Sequence, residues 1–129
     1  MYLLDTDILV SFLRRDQEAI TAIDALKVQG INTSSITLHE LFDGAFRAGN
    51  KDKALSGVIA LANSINILYF DTECSKFSGK IKASSILSGN YPGEIDILIE
   101  AVALRNNLKL VTRNKKNFEK IHGLVIKEW

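Results

Sequence analysis

The chain has 129 residues, 47% of them hydrophobic and 24% charged, and a net charge of +1. That balance excludes a disordered or fibrous chain and predicts one globular domain with a single core and no linker. A near-neutral total gives no long-range pull toward nucleic acid or a membrane surface, so any such contact has to come from a local basic patch.

Taken in order, strand-like and helix-like pieces alternate. Tyr2, Leu3 and Leu4 run without a polar break into Asp5, as a fully buried strand would, and Ile8, Leu9, Phe12 and Leu13 then follow helical spacing over Thr6 to Arg14. A carboxylate therefore stands where a strand stops and a helix starts, the edge at which open α/β sheets bind ligands. Asp16 can cap a second helix whose apolar face is Ala19, Ile20, Ile23, Ala25 and Leu26, and Gly30 ends it. Ile31 to Ile36 is short and β-branched, a second strand.

Thr37-Leu38-His39-Glu40 has the form of a capping box and opens a helix to about Ala48, stopped by Gly49-Asn50. Another helix spans Lys51 to Ala62, and Asn66 to Phe70 is a third strand. Asp71 or Thr72 caps the next helix, which fades by Ser88-Gly89. Gly89 to Gly93 holds the sole proline, Pro92, and is the clearest loop. Glu94 to Leu104 is apolar on most sides, hence a buried helix; Leu108 to Thr112 is strand four, Asn114 to Ile121 a short basic helix and Leu124 to Ile126 a last strand. Strands joined through helices imply an α/β fold with a mostly parallel sheet of about five strands.

Cys74 is the only cysteine, which rules out an intrachain disulfide. Asp5 and Asp7 stand where a signal peptide wants positive charge, and no apolar run reaches the roughly eighteen residues of a membrane span. The expected address is cytoplasmic, with no membrane contact.

The acids can now be placed. Asp5 ends strand one, Glu40 lies in the first turn after strand two, and Asp96 lies in the first turn after the Pro-Gly loop. In a parallel sheet the carboxyl ends of the strands and the amino ends of the following helices share one edge, so the three should converge. Ionised acids held together repel and call for protons or a cation. Mg²⁺ or Mn²⁺ suits oxygen ligands, and the chemistry such an ion serves is phosphodiester hydrolysis.

The segments LLDTDIL, SSITLHELFDGA around Glu40, PGEIDILIEAVAL around Asp96 and LVTRNKKNFEKIHGLVIKEW, in this order over essentially the whole chain, resemble the PIN-domain family. The likeness is to the VapC-type toxins of toxin-antitoxin pairs. It implies a compact three-layer α/β/α fold and a Mg²⁺- or Mn²⁺-dependent endoribonuclease acting on RNA, commonly a homodimer, neutralised by a cognate antitoxin. It implies Asp5, Glu40 and Asp96 as catalytic residues, with Asp5 and Asp96 as direct metal ligands. The chain departs from the family at Asn114, where some relatives carry a fourth acid, at Asp7, often asparagine, and at Glu100, usually a small residue.

Each residue also has a plainer reading. Asp5 can cap the helix that follows, and Glu40 can be spent on its capping box. Glu94, a secondary site candidate, fits the role of helix-dipole partner better than Asp96, whose carboxylate would be costly in an apolar helix if unpaired. Glu100, one turn beyond Asp96, either joins the acids or bonds structurally. Thr6 and Thr112 are secondary candidates for bonding metal waters or phosphate, although threonine at a strand end is usually a turn residue; Asn114 could ligate through its amide oxygen.

His39 and His122 lack paired ligand spacing. Arg113, Lys115, Lys116 and Lys120, and also Arg14, Arg15 and Arg47, are either RNA-phosphate contacts or solvated surface. Leu41, Phe42, Ala45 and Phe46 exceed one core-facing stripe, which suggests either a partner surface or a doubly packed helix.

Two other functions compete. Asp5-Thr6-Asp7 also fits the Asp-x-Asp of haloacid-dehalogenase-type phosphohydrolases, against which stand Leu9, the Pro-Gly before Glu94 and the lack of a well-placed lysine. A catalytically silent module binding RNA or protein would explain Asn114 but not the retained Asp5, Glu40 and Asp96.

Overall fold

The computed structural model describes residues 1–119 and 123–129. Among them are five strands: β1 (Tyr2–Leu4), β2 (Ile31–Ser34), β3 (Asn66–Leu68), β4 (Lys109–Val111) and β5 (Ile126–Lys127). Seven α-helices connect them: α1 (Thr6–Leu13), α2 (Gln17–Leu26), α3 (Ser35–Phe46), α4 (Lys51–Ser64), α5 (Thr72–Ser88), α6 (Glu94–Arg105) and α7 (Lys115–Phe118). The expected basic helix to Ile121 is seen over α7; Lys120, Ile121 and His122 lie outside the described residues.

The strands form one sheet in the order β3-β2-β1-β4-β5, every pair parallel. β1 is central because its residues are apolar on both faces. Leu4 joins a core shared with Ile8, Leu9, Ile23, Leu41 and Val58 from α1 to α4, while Leu3 joins Cys74, Ile99, Val102 and Phe118 on the opposite face. Alternation along a strand sends neighbouring side chains to opposite sides, and two cores on one sheet make three layers. Leu3, Leu4, Leu110 and Val111 are fully buried, each contributing about 1.5–3 kcal/mol by leaving water.

The chain winds outward from β1 to β2 to β3, then returns to the other side of β1 for β4. The order reverses between β1 and β4, and a crevice opens at such a reversal beyond the carboxyl ends of the strands.

One local expectation is corrected. β2 ends at Ser34, not Ile36, and α3 begins at Ser35, with the Ser34 side chain accepting from the Thr37 backbone N–H at 3.0 Å. Thr37 is thus the third residue of the helix rather than its cap, and no capping box occupies Glu40. Ser34 precedes Thr37 and offers an equally good cap, so the helix gains most of a turn and Glu40 moves into its second turn.

Candidate functional site

Asp5 follows β1 directly and is almost fully buried. Its Oδ1 accepts from the Thr6 backbone N–H at 2.8 Å, so it does cap α1, but its Oδ2 is turned to the neighbouring strand and accepts from the Thr112 hydroxyl at 2.7 Å. Those two residues bracket the crevice between β1 and β4. Capping therefore uses only half of the carboxylate. Burial, first, and the nearby Asp7 and Asp96 charges push the Asp5 carboxyl up to about 7, against the opposing pull of the Thr112 hydroxyl and the Thr6 N–H.

Asp96 reaches the same place from α6. Gly93, at φ 119°, turns the Pro92 loop into the helix in a conformation that residues with a Cβ rarely adopt. The half-buried Asp96 is held by the Asn117 side-chain amide from α7 at 2.9 Å. Its carboxyl is raised by burial, lowered by the Asn117 bond and raised again by Asp7.

One turn on, Glu100 is fully buried, and neither carboxylate oxygen has a hydrogen-bond partner. Burial, then the Asp96 and Asp5 charges, push it up to about 8. Asp5, Asp7, Asp96 and Glu100 thus share one electrostatic environment.

Glu40 is joined to this group through Thr6. The Thr6 hydroxyl donates to Glu40 Oε1 and lies 3.3 Å from the Thr37 hydroxyl, while the Thr6 backbone serves Asp5. Thr6 and Thr112, just past the ends of their strands, each bond one of the acids through the hydroxyl.

Other candidates lie elsewhere. Glu94 is exposed and bonds Lys82 Nζ and the Tyr91 hydroxyl, both at 2.9 Å, so it stabilises the loop surface rather than the acidic group. The Asn114 side chain is exposed, and only its backbone N–H touches the group, through Thr112 Oγ1 at 3.0 Å. The Arg113 guanidinium bonds Glu18 at 2.8 Å and stacks 3.6 Å from the Trp129 ring centre, and Lys115 pairs with Glu128 at 3.4 Å, so neither cation is held ready for phosphate. Lys116 is exposed.

Asp7 Oδ2 accepts from the Arg113 backbone N–H at 2.8 Å and stands 3.2 Å from the Thr112 hydroxyl, and Trp129 Nε1 approaches its Oδ1 at 3.4 Å. A dehalogenase-type acid at this position would have to be free to transfer a proton, whereas Asp7 is engaged by Thr112, Arg113 and Trp129. Asn117 and Ser34 were missed in the sequence; the only trace of Asn117 is an amide in the tail segment after Asn114.

Among the described residues no group of three His, Cys, Asp or Glu side chains is arranged to hold a metal ion outright. The donor set nevertheless fits a hard divalent cation that keeps part of its water shell: carboxylate oxygens, no lysine or arginine pairing with Asp5, Asp96 or Glu100 among the described residues, and a buried carboxylate lacking any donor. Beside Glu40 runs a groove of about 670 Å³ between α1, α3 and α4, lined by Val10, Leu13, Leu41, Ala45 and Val58 together with Arg14, Arg15 and Lys53.

An α/β/α sandwich with acids gathered at its switch point defines a class, and the PIN-domain family matches residues 2–124: the chain belongs to that family. Its relatives include the tRNA(fMet)-specific endonuclease VapC of Salmonella typhimurium, 30% identical over 128 residues and covering 99% of this chain and 97% of the relative. Ribonuclease VapC2 of Rickettsia felis is 29% identical over 131 residues, covering 100% and 98%. Among solved structures, VapBC2 of Rickettsia felis bound to a promoter DNA fragment superposes with a TM-score of 0.93 at 28% identity, over 99% of this chain and 98% of that one. DNA-bound VapBC of Salmonella typhimurium gives 0.92 at 30% identity, over 99% and 97%. Membership in this family removes the dehalogenase alternative.

Proposed function

We propose that this chain is a divalent-metal-dependent endoribonuclease, the toxin of a toxin-antitoxin pair, which hydrolyses RNA phosphodiester bonds. The observation that carries this reading is the gathering of Asp5, Asp96 and Glu100, buried or half-buried and paired by no lysine or arginine among the described residues, at the switch point of a PIN fold. The ribonuclease and endonuclease names of its relatives point to the same chemistry.

Asp5 and Asp96 are the residues suited to hold Mg²⁺ or Mn²⁺, each oriented by a neutral donor, Thr112 and Asn117 respectively. When bound, such an ion supplies positive charge for the phosphate and activates the attacking water. Neutral donors are suitable supports because they fix the carboxylates without cancelling their charge. Glu40, held by the Thr6 hydroxyl, is placed to orient water or take up its proton. The groove beside Glu40 is the surface we assign to the antitoxin, since most of its lining is apolar, with Arg14, Arg15 and Lys53 at hand for acidic groups, and Glu40 itself lines it. A homodimer and a cytoplasmic site of action complete the proposal.

The test is cleavage of RNA by purified protein with Mg²⁺ or Mn²⁺ and with a chelator. Cleavage should require the metal and should fall by about a hundredfold or more in Asp5→Asn and Asp96→Asn. Metal-dependent cleavage at the parent rate in both variants would refute the assignment.

A further inference from the structure

Glu100 is singular among the described residues. It is fully buried in α6, and its two oxygens are the buried side-chain polar atoms left without a hydrogen-bond partner. The helix spacing puts it on the face of Asp96, one turn away, and its electrostatic neighbours among the described residues are Asp96 and Asp5 rather than a basic group. A buried carboxylate without donors is costly, and a structural glutamate at such a place would be expected to meet an N–H or O–H. None of the described residues supplies one. Its two acidic neighbours are the residues to which the proposed function assigns a divalent cation.

We infer that Glu100 is a further carboxylate of that cation site, its charge balanced by the ion that Asp5 and Asp96 bind rather than by a donor of the protein. This rests on the metal-dependent reading given above and adds a residue to it. The exposed Asn114 contributes no charge to the site, and Glu100 contributes one out of α6. Because the acids do not enclose an ion by themselves, water completes its shell, and the contribution of Glu100 is read as affinity.

The experiment is a calorimetric Mn²⁺ titration of the parent chain and of Glu100→Gln, Glu100→Met and Asp96→Asn, with melting temperatures measured in chelator. Glu100→Met keeps the side-chain volume and removes both orphaned oxygens, so it should melt a few degrees higher than the parent without metal. Both Glu100 variants should bind Mn²⁺ at least about tenfold more weakly. A merely structural glutamate would give the reverse pairing, a lower melting temperature with unchanged affinity. Parent-like Mn²⁺ affinity in either folded Glu100 variant, alongside loss in Asp96→Asn, overturns this inference and leaves the nuclease reading standing. Failure of the parent to bind Mn²⁺ overturns both.

Discussion

Asp5 shows how much one side chain can be asked to do. It caps α1 with one oxygen, meets the Thr112 hydroxyl with the other, and carries a carboxyl raised by burial from 3.8 to about 7. The folded metal-free chain therefore keeps a proton that the unfolded chain releases near pH 4, and folding is penalised as pH rises. For Asp5 the loss of stability begins around pH 4 and levels off above about 7; for Glu100, raised from 4.5 to about 8, it extends further. Measured in chelator, stability should fall across this window, by an amount on the order of a few kcal/mol for a shift of this size. The fall should be shallower in Asp5→Asn, and an unchanged slope in that variant would contradict the buried-acid description. Saturating Mn²⁺ should flatten it in the parent.

At this scale the sequence was informative where chemistry and pattern coincided. An apolar run stopped by a carboxylate marked Asp5, and a charge inside an apolar helix marked Asp96. Glu100 carried the same mark, but periodicity could not say whether a donor would meet it. Asn117 was hidden because its contact with Asp96 depends on how α7 lies against α6, which no local rule specifies.

Among the elements, α3 is the instructive one. A capping box at Thr37 satisfied every local rule, yet Ser34 supplied the cap and released Glu40 to bond Thr6. Two adjacent solutions of similar local energy were separated by tertiary context, because β2 has to end level with β1 for the Thr33 hydroxyl to reach the Leu4 carbonyl at 2.9 Å. Ser34→Ala should therefore cost about 1 kcal/mol and lower the melting temperature by several degrees, read by calorimetry. Should Ser34→Ala melt like the parent, the cap lies elsewhere. The long helices and the parallel strands were readable throughout, since caps, stops and apolar spacing agreed; strand ends were less so, β3 and β4 each being shorter than the apolar run suggested.

For the molecule as a whole, strand order decides the site. The order β3-β2-β1-β4-β5 sets the first and fourth strands side by side, and only then do Asp5 and Thr112, 107 positions apart, become neighbours. The same closure is secured outside the sheet by Trp129, which approaches Asp7 and stacks on Arg113. Trp129→Ala removes both contacts and should cost about 1–3 kcal/mol, seen as a lower urea midpoint with an unchanged slope. A midpoint equal to the parent's would mean that the clasp is idle.

The long reach between Asp5 and Thr112 matters for a protein proposed to cut RNA, because its own synthesis takes place amid RNA. While a ribosome is still reading the earlier part of the message, the first aspartate has emerged but its threonine partner does not yet exist. The hydrogen bond that orients this acid, and with it the proposed metal site, is therefore incomplete until translation has passed the fourth strand.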